Sequence, residues 1–185
     1  MSQFAIIGFG SLIWDPQVLS AYGMTVGRWK NNGPVFPLEF SRISPRRLGA
    51  LTLVIDHQGV ACQTYWIKMD GRHWDIVHEI LARREGKIDV ISRQDPAPPE
   101  GTRQKVWDWL ADKSGITHAV WTSQVSNFAQ ETGTPFSVTH ALNYLLGLKN
   151  TSQTAFDAAR TYIHETPEQT QTPLRLAFEQ RWPRP

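Results

Sequence analysis

The chain has 185 residues, a formal net charge of +2 and one cysteine. That length suits one domain with a real core, and a small charge without a long basic run argues against nucleic acid as the main partner. The lone Cys62 excludes an intrachain disulfide and fits a reducing compartment. No basic n-region precedes the first apolar run, which breaks at Gly8, so neither a signal peptide nor a membrane span is expected and cytoplasm is the default location.

In chain order, Phe4-Ala5-Ile6-Ile7 reads as a buried strand that runs into the loop Gly8-Phe9-Gly10-Ser11. Asp15-Pro16 offers an N-cap and a first-turn proline, opening a short helix over Pro16 to Tyr22 that stops at Gly23. Lys30-Asn31-Asn32-Gly33-Pro34 is turn chemistry. Phe36 to Ile43 alternates as a strand and is broken by Ser44 to Gly49. Ala50 to Ile55 and Val60 to Met69 are β-rich runs around Asp56-His57-Gln58-Gly59, which predicts a hairpin; large apolar groups on both faces of the second run predict a central strand.

Trp74, Val77 and Leu81 recur at helical spacing, and Gly86 is placed to end that helix. A strand over Lys87 to Ser92 follows, then a proline-rich break over Pro96 to Gly101, a short helix within Arg103 to Lys113 and a last strand over Thr117 to Ser123. Asn127 to Pro135 reads as loop. Ser137 to Lys149, Ser152 to His164 and Leu174 to Trp182 are three amphipathic helices, so a helical accessory part from about 137 to 185 is expected on a single domain spanning 1–185.

The loop after the first strand carries the first chemical signal. Its glycines permit a sharp turn, and successive N–H groups in such a turn can form an anion-binding nest. Three familiar sites fail there. Ile13 stands where a dinucleotide fingerprint needs its third glycine, no Gly-Lys-Ser/Thr follows for a phosphate loop, and Phe9 and Ile13 replace the glycines of a nucleophile elbow around Ser11. What remains is a loop offering backbone donors and one hydroxyl.

Gly8-Phe9-Gly10-Ser11-Leu12-Ile13-Trp14 resembles the Gly-Tyr-Gly-Ser-Leu-(Ile/Met)-Trp signature of the γ-glutamylcyclotransferase superfamily, closest to its ChaC-type, glutathione-degrading branch, with Phe9 in place of the tyrosine. Leu81-Ala82-Arg83-Arg84-Glu85-Gly86 is similar to the Leu-x-x-Arg-Glu-x-Gly stretch of that branch, though Lys87 and Ile88 stand where the branch often continues through a second glycine and a tyrosine. Phe40-Ser41-Arg42, Gly49 to Val54 and Ala61 to Tyr65 look like the strands between those motifs, so the resemblance covers the first half of the chain, to about Ser92. It implies that Glu85 is the acid/base residue. It also implies a small, mostly antiparallel β-barrel or curved sheet with flanking helices, an α+β fold.

The residue chemistry is compatible with that implication. A carboxylate in the last turn of a helix faces the negative end of the helix dipole, which favours its protonated form. Arg83 and Arg84 oppose this if they turn inward. Glu79 and Arg83, four apart, make a solvated ion pair. Ala82 occupies the place of a second zinc-ligating histidine after His78-Glu79, and the six histidines show no ligand spacing, so no metal and no cofactor is expected. Cys62 reads as a small buried hydrophobe.

The reading is therefore an enzyme that cyclises a γ-glutamyl compound, glutathione among them, to 5-oxoproline and releases the amine. Glu85 would act as acid and base, and Gly8, Phe9, Gly10, Ser11, Leu12 and Arg42 would hold the substrate, the Gly10 to Leu12 amides facing its glutamyl part or oxyanion. The partner is a small molecule, not nucleic acid or membrane. The alternatives are a non-catalytic binding module on the same fold and a hydrolase using Ser11.

Overall fold

The computed structural model describes residues 3–20, 27–95 and 100–184. The expected helix end at Tyr22 and Gly23, and most of the proline-rich break after Asp95, lie outside them. The elements in order are β1 (Gln3–Gly8), α1 (Gln17–Ser20), β2 (Val35–Ser44), β3 (Ala50–Ile55), β4 (Val60–Gln63), β5 (Tyr65–Asp70), α2 (Trp74–Glu85), β6 (Ile88–Ser92), α3 (Gly101–Ala111), β7 (Ile116–Thr122), α4 (Phe128–Thr132), α5 (Val138–Thr151), α6 (Gln153–Glu165) and α7 (Pro173–Arg181). The fold is α+β. Its strands form two open sheets, one of four strands and one of three, rather than a closed barrel. The chain divides into two compact units, residues 1–36 with 63–124 and residues 37–62 with 125–185.

The first unit holds the four-stranded sheet, in the order β5-β1-β7-β6. β1 runs antiparallel to β5 and parallel to β7, and β7 is antiparallel to β6. Phe4 and Ile6 of β1, Ile67 and Met69 of β5 and Val120 of β7 form its core with Val77, Ile80 and Leu81 of α2. The 3.6-residue stripe of α2 thus meets the 2-residue alternation of the strands. Leu12 and Leu19 belong to the same cluster, which ties the loop after β1 to this core.

The second unit holds the three-stranded sheet, in the order β3-β2-β4. β3 and β4 both flank β2 and do not pair with each other, so the hairpin read around Asp56 to Gly59 is not formed. The connection crosses the start of β2 instead. Asp56 N–H donates to the Pro37 carbonyl (2.9 Å), and a Cβ on Gly59 would lie 2.5 Å from the Leu38 carbonyl carbon, so only glycine fits the crossing.

The run from Val60 to Met69 is likewise two strands in two sheets, broken at Thr64. Its N–H and hydroxyl both turn to the Pro34 carbonyl (3.2 and 2.6 Å). β5 is an edge strand, not a central one. Its second face carries Trp66, whose ring meets Trp109 of α3 edge-on (5.1 Å), while Lys30 and Trp66 exchange both backbone hydrogen bonds (2.9 Å each) along the strand's edge.

α5, α6 and α7 form as expected, with Ser137, Ser152 and Thr172 accepting from the His140, Ala155 and Arg175 amides as N-caps. α4 lies in the stretch read as loop. α6 packs on β3, and α5 packs on α6 and α7.

His164 at the end of α6 is buried. It stacks edge-on against Phe178 (5.5 Å), with Glu179 3.8 Å away. Burial, reinforced by the nearby Arg184 and Arg160 charges and opposed by Glu179, holds the imidazole below its ordinary pKa of about 6.5. As pH falls below that value the unfolded chain takes up a proton that the folded chain resists, so stability falls. In urea unfolding between pH 7 and pH 5 (roughly the His titration range), His164→Phe is expected to lose less stability on acidification than the wild type. Parallel losses in the two proteins would remove His164 as the cause.

Candidate active site

The loop after β1 is fixed by its apolar members. Phe9 is 2% exposed, with its ring edge-on to Phe36 (5.9 Å), and Leu12 is buried in the core of the first unit. With both side chains turned inward, Gly10 and Ser11 between them are half-buried. The turn is closed by Ile13 N–H to the Gly10 carbonyl (3.1 Å) and Asp15 N–H to the Ser11 carbonyl (2.8 Å). Among the described residues, the amides of Gly10 and Leu12 donate to no protein acceptor. Phe9 and Leu12 therefore present main chain, not side chain, to any ligand. Gly8 has no room for a side chain, since a Cβ there would lie 2.9 Å from the Trp29 ring.

Glu85 is the last residue of α2. The helix stops because Gly86 takes φ 76°, a conformation that favours glycine, and donates its N–H to the Ala82 carbonyl (2.9 Å). The Gln124 side-chain amide donates to the Glu85 carbonyl (2.5 Å), satisfying one of the helix's terminal acceptors.

Glu85 and the loop, more than seventy positions apart in sequence, meet through Arg84. Its guanidinium donates from Nε to Glu85 Oε1 (3.1 Å), from one Nη to Ser11 Oγ (3.2 Å) and from the other to the Asp15 carbonyl (3.0 Å). The Asp15 carboxylate lies 3.6 Å from the same group. The Arg84 and Glu85 side chains are 17% and 22% exposed, so the cluster is sheltered yet reachable. One rigid fork of donors thus sets the carboxylate, the hydroxyl and the turn in register.

Arg83 faces the other way, to Glu79 (2.6 Å) in an exposed pair. The sequence identified Arg84 only as a neighbour of Glu85; its adjacency in the Arg-Glu pair was the available signal.

Arg42 belongs to the second unit, where its guanidinium donates to the Val125 carbonyl (3.0 Å). That unit also holds a buried carboxylate that sequence reasoning passed over. Glu39, 2% exposed, accepts from the Phe40 amide (2.7 Å) and, more weakly, from the Leu174 amide (3.4 Å) at the start of α7. Burial pushes its pKa up, against the hydrogen bonds from Thr172, Phe40 and Leu174. Such a group resembles a general acid, but its oxygens are committed to the helix start and closed to a substrate. Cys62 is buried, and burial pushes its thiol up, so it stays protonated and unreactive.

Among the described residues no group of three or more His, Cys, Asp or Glu side chains could hold a metal ion, and no helix is long and apolar enough to cross a membrane.

No family model matches the chain, and no curated protein matches it significantly. Among solved structures, the chain is similar to a selenomethionine-labelled γ-glutamyl cyclotransferase specific to glutathione from yeast. The identity is 12% and the TM-score 0.40, covering 88% of this chain and 97% of that one.

Proposed function

We propose that the chain is a γ-glutamylcyclotransferase-type enzyme, which closes a γ-glutamyl compound to 5-oxoproline and releases its amine. The observation that carries this reading is the single guanidinium joining the Glu85 carboxylate to the Ser11 loop, within one unit of the fold.

The chemistry needs little beyond these groups. The nucleophile is the substrate's own α-amine, so holding a cyclisable conformer supplies much of the acceleration. Glu85 takes the proton that the α-ammonium must lose. The amine then adds to the γ-carbonyl. Negative charge on that oxygen faces the Gly10 and Leu12 amides. The carbon–nitrogen bond to the leaving amine breaks as Glu85 returns the proton to that nitrogen; the ring nitrogen's second proton passes by the same carboxylate to the departing amine, which leaves as an ammonium, and the carboxylate is restored for the next cycle. Arg84 positions both partners and is not consumed. Glutathione is one candidate substrate, and the resemblance of the two motifs to the ChaC-type branch supports that choice.

Incubation with glutathione and with a panel of γ-glutamyl amino acids tests the reading. Release of 5-oxoproline and free amine in equal amounts is expected from γ-glutamyl compounds, and none from α-glutamyl isomers. Binding of such compounds with no product would favour a non-catalytic module instead.

A further inference from the structure

The first unit carries a second feature that the cyclisation does not use. An open hollow of about 580 Å³ is lined by Arg28, Trp29, Lys30, Asn31, Asn32 and Tyr65. That volume is within the range of small-molecule sites. Its frame is hydrogen-bonded to the sheet. The strap from Arg28 to Gly33 is fastened at two places, to β5 by Lys30 and Trp66 and to the residue before β5 by Gly33 N–H to the Thr64 carbonyl (2.9 Å). Asn32 takes the Trp66 indole N–H on its side-chain oxygen (2.8 Å) and the Trp109 indole N–H on its carbonyl (2.9 Å). With its side-chain oxygen turned to the Trp66 indole, Asn32 keeps its side-chain NH2 donors for a ligand.

The lining contains two cations and no acid. Neither Arg28 nor Lys30 makes an ion pair among the described residues. Lys30 is held over the Trp66 ring (4.5 Å), and Lys113 sits over Trp109 (5.1 Å). The aromatic rings order these ammonium groups without neutralising them. Trp29 and Tyr65 supply flat walls, and both are tied to Gly8: Trp29 packs on it, and Tyr65 is its cross-strand partner.

We propose that this hollow binds a small organic anion, a carboxylate or phosphate whose flat or apolar body lies against Trp29 and Tyr65. Arg28, Lys30 and the Asn32 amide donate to the anionic group, and the assembled strap keeps the ordering cost of binding low. The site shares no residue with the Glu85 cluster, so it stands whether or not the cyclisation is correct.

Calorimetric titration of the full chain with hippurate, phenyl phosphate and the neutral hippuramide tests it, with tryptophan indole N–H resonances followed in parallel. Both anions are expected to bind and to shift the Trp29 indole signal, with hippuramide weaker by roughly tenfold or more. The stronger of the two anions identifies the carboxylate or the phosphate as the preferred group. The double variant Arg28→Gln/Lys30→Gln is expected to lose roughly tenfold or more in affinity at an unchanged melting temperature. Glu85→Gln is expected to bind as the wild type does. No binding of either anion, equal binding by the double variant, or loss of binding in Glu85→Gln would overturn the proposal.

Discussion

Glu85→Gln is expected to lower the turnover of a γ-glutamyl compound by about 10²–10⁴-fold, the range that general acid–base catalysis supplies. The substitution removes the proton acceptor and the negative charge beside Arg84 while keeping the side chain's shape. Glutamine keeps an oxygen for Arg84 Nε at the same place (3.1 Å), and the Glu85 main-chain contacts with Gln124 and the helix end are untouched. Substrate affinity should change little, because the loop amides are unaltered. The loss should therefore fall on kcat rather than KM. A variant that keeps full turnover would remove Glu85 from the chemistry.

Arg84→Met is expected to be the second large effect, on stability and turnover together. The guanidinium makes three hydrogen bonds, to Ser11, Asp15 and Glu85, from a position 17% exposed. Bonds of this kind are worth about 1.5–3 kcal/mol when one partner is charged, and the three do not add. A loss of about 2–3 kcal/mol lowers the melting temperature by roughly 5–10 °C in a chain of this size. The loop and the carboxylate would then lose their common anchor, and turnover should fall by about 10–100-fold through misplacement.

Lysine separates charge from geometry. Arg84→Lys restores a cation but not the fork that reaches three oxygens, so it should recover part of the stability and little of the kcat. If the lysine variant recovers both in proportion, Arg84 acts through stability alone.

The sequence revealed this arrangement unevenly, for physical reasons. The end of α2 was legible because Gly86 is the residue that its backbone conformation favours, and the two motifs marked both halves of the candidate site. The starts of α5 and α6 were read from apolar spacing alone, and they coincide with the capping serines Ser137 and Ser152. The pairing of β3 and β4 was not. A four-residue connection rich in turn formers reads as a hairpin, and nothing local records that the chain crosses β2 at Leu38.

β5 looked central because both faces are apolar, yet it is an edge covered by a strap some 35 residues earlier in the chain. Asn127 was invisible too. Its side chain accepts from the Ile43 amide (2.7 Å) and donates to the Ile43 carbonyl (3.1 Å), standing in for a neighbouring strand. The inward turn of Arg84 depends on a rotamer, which residue spacing does not encode.

The central claim is that the bond is broken by the substrate's own amine, and isotope labelling reads this directly. The reaction is run with glutathione or a γ-glutamyl amino acid in water enriched in ¹⁸O, and the products are weighed by mass spectrometry. Aminolysis incorporates no solvent oxygen, so the account predicts 5-oxoproline free of ¹⁸O, formed in step with the released amine. Glutamate carrying ¹⁸O in its γ-carboxylate, the product of attack by water or through a Ser11 ester, would contradict it.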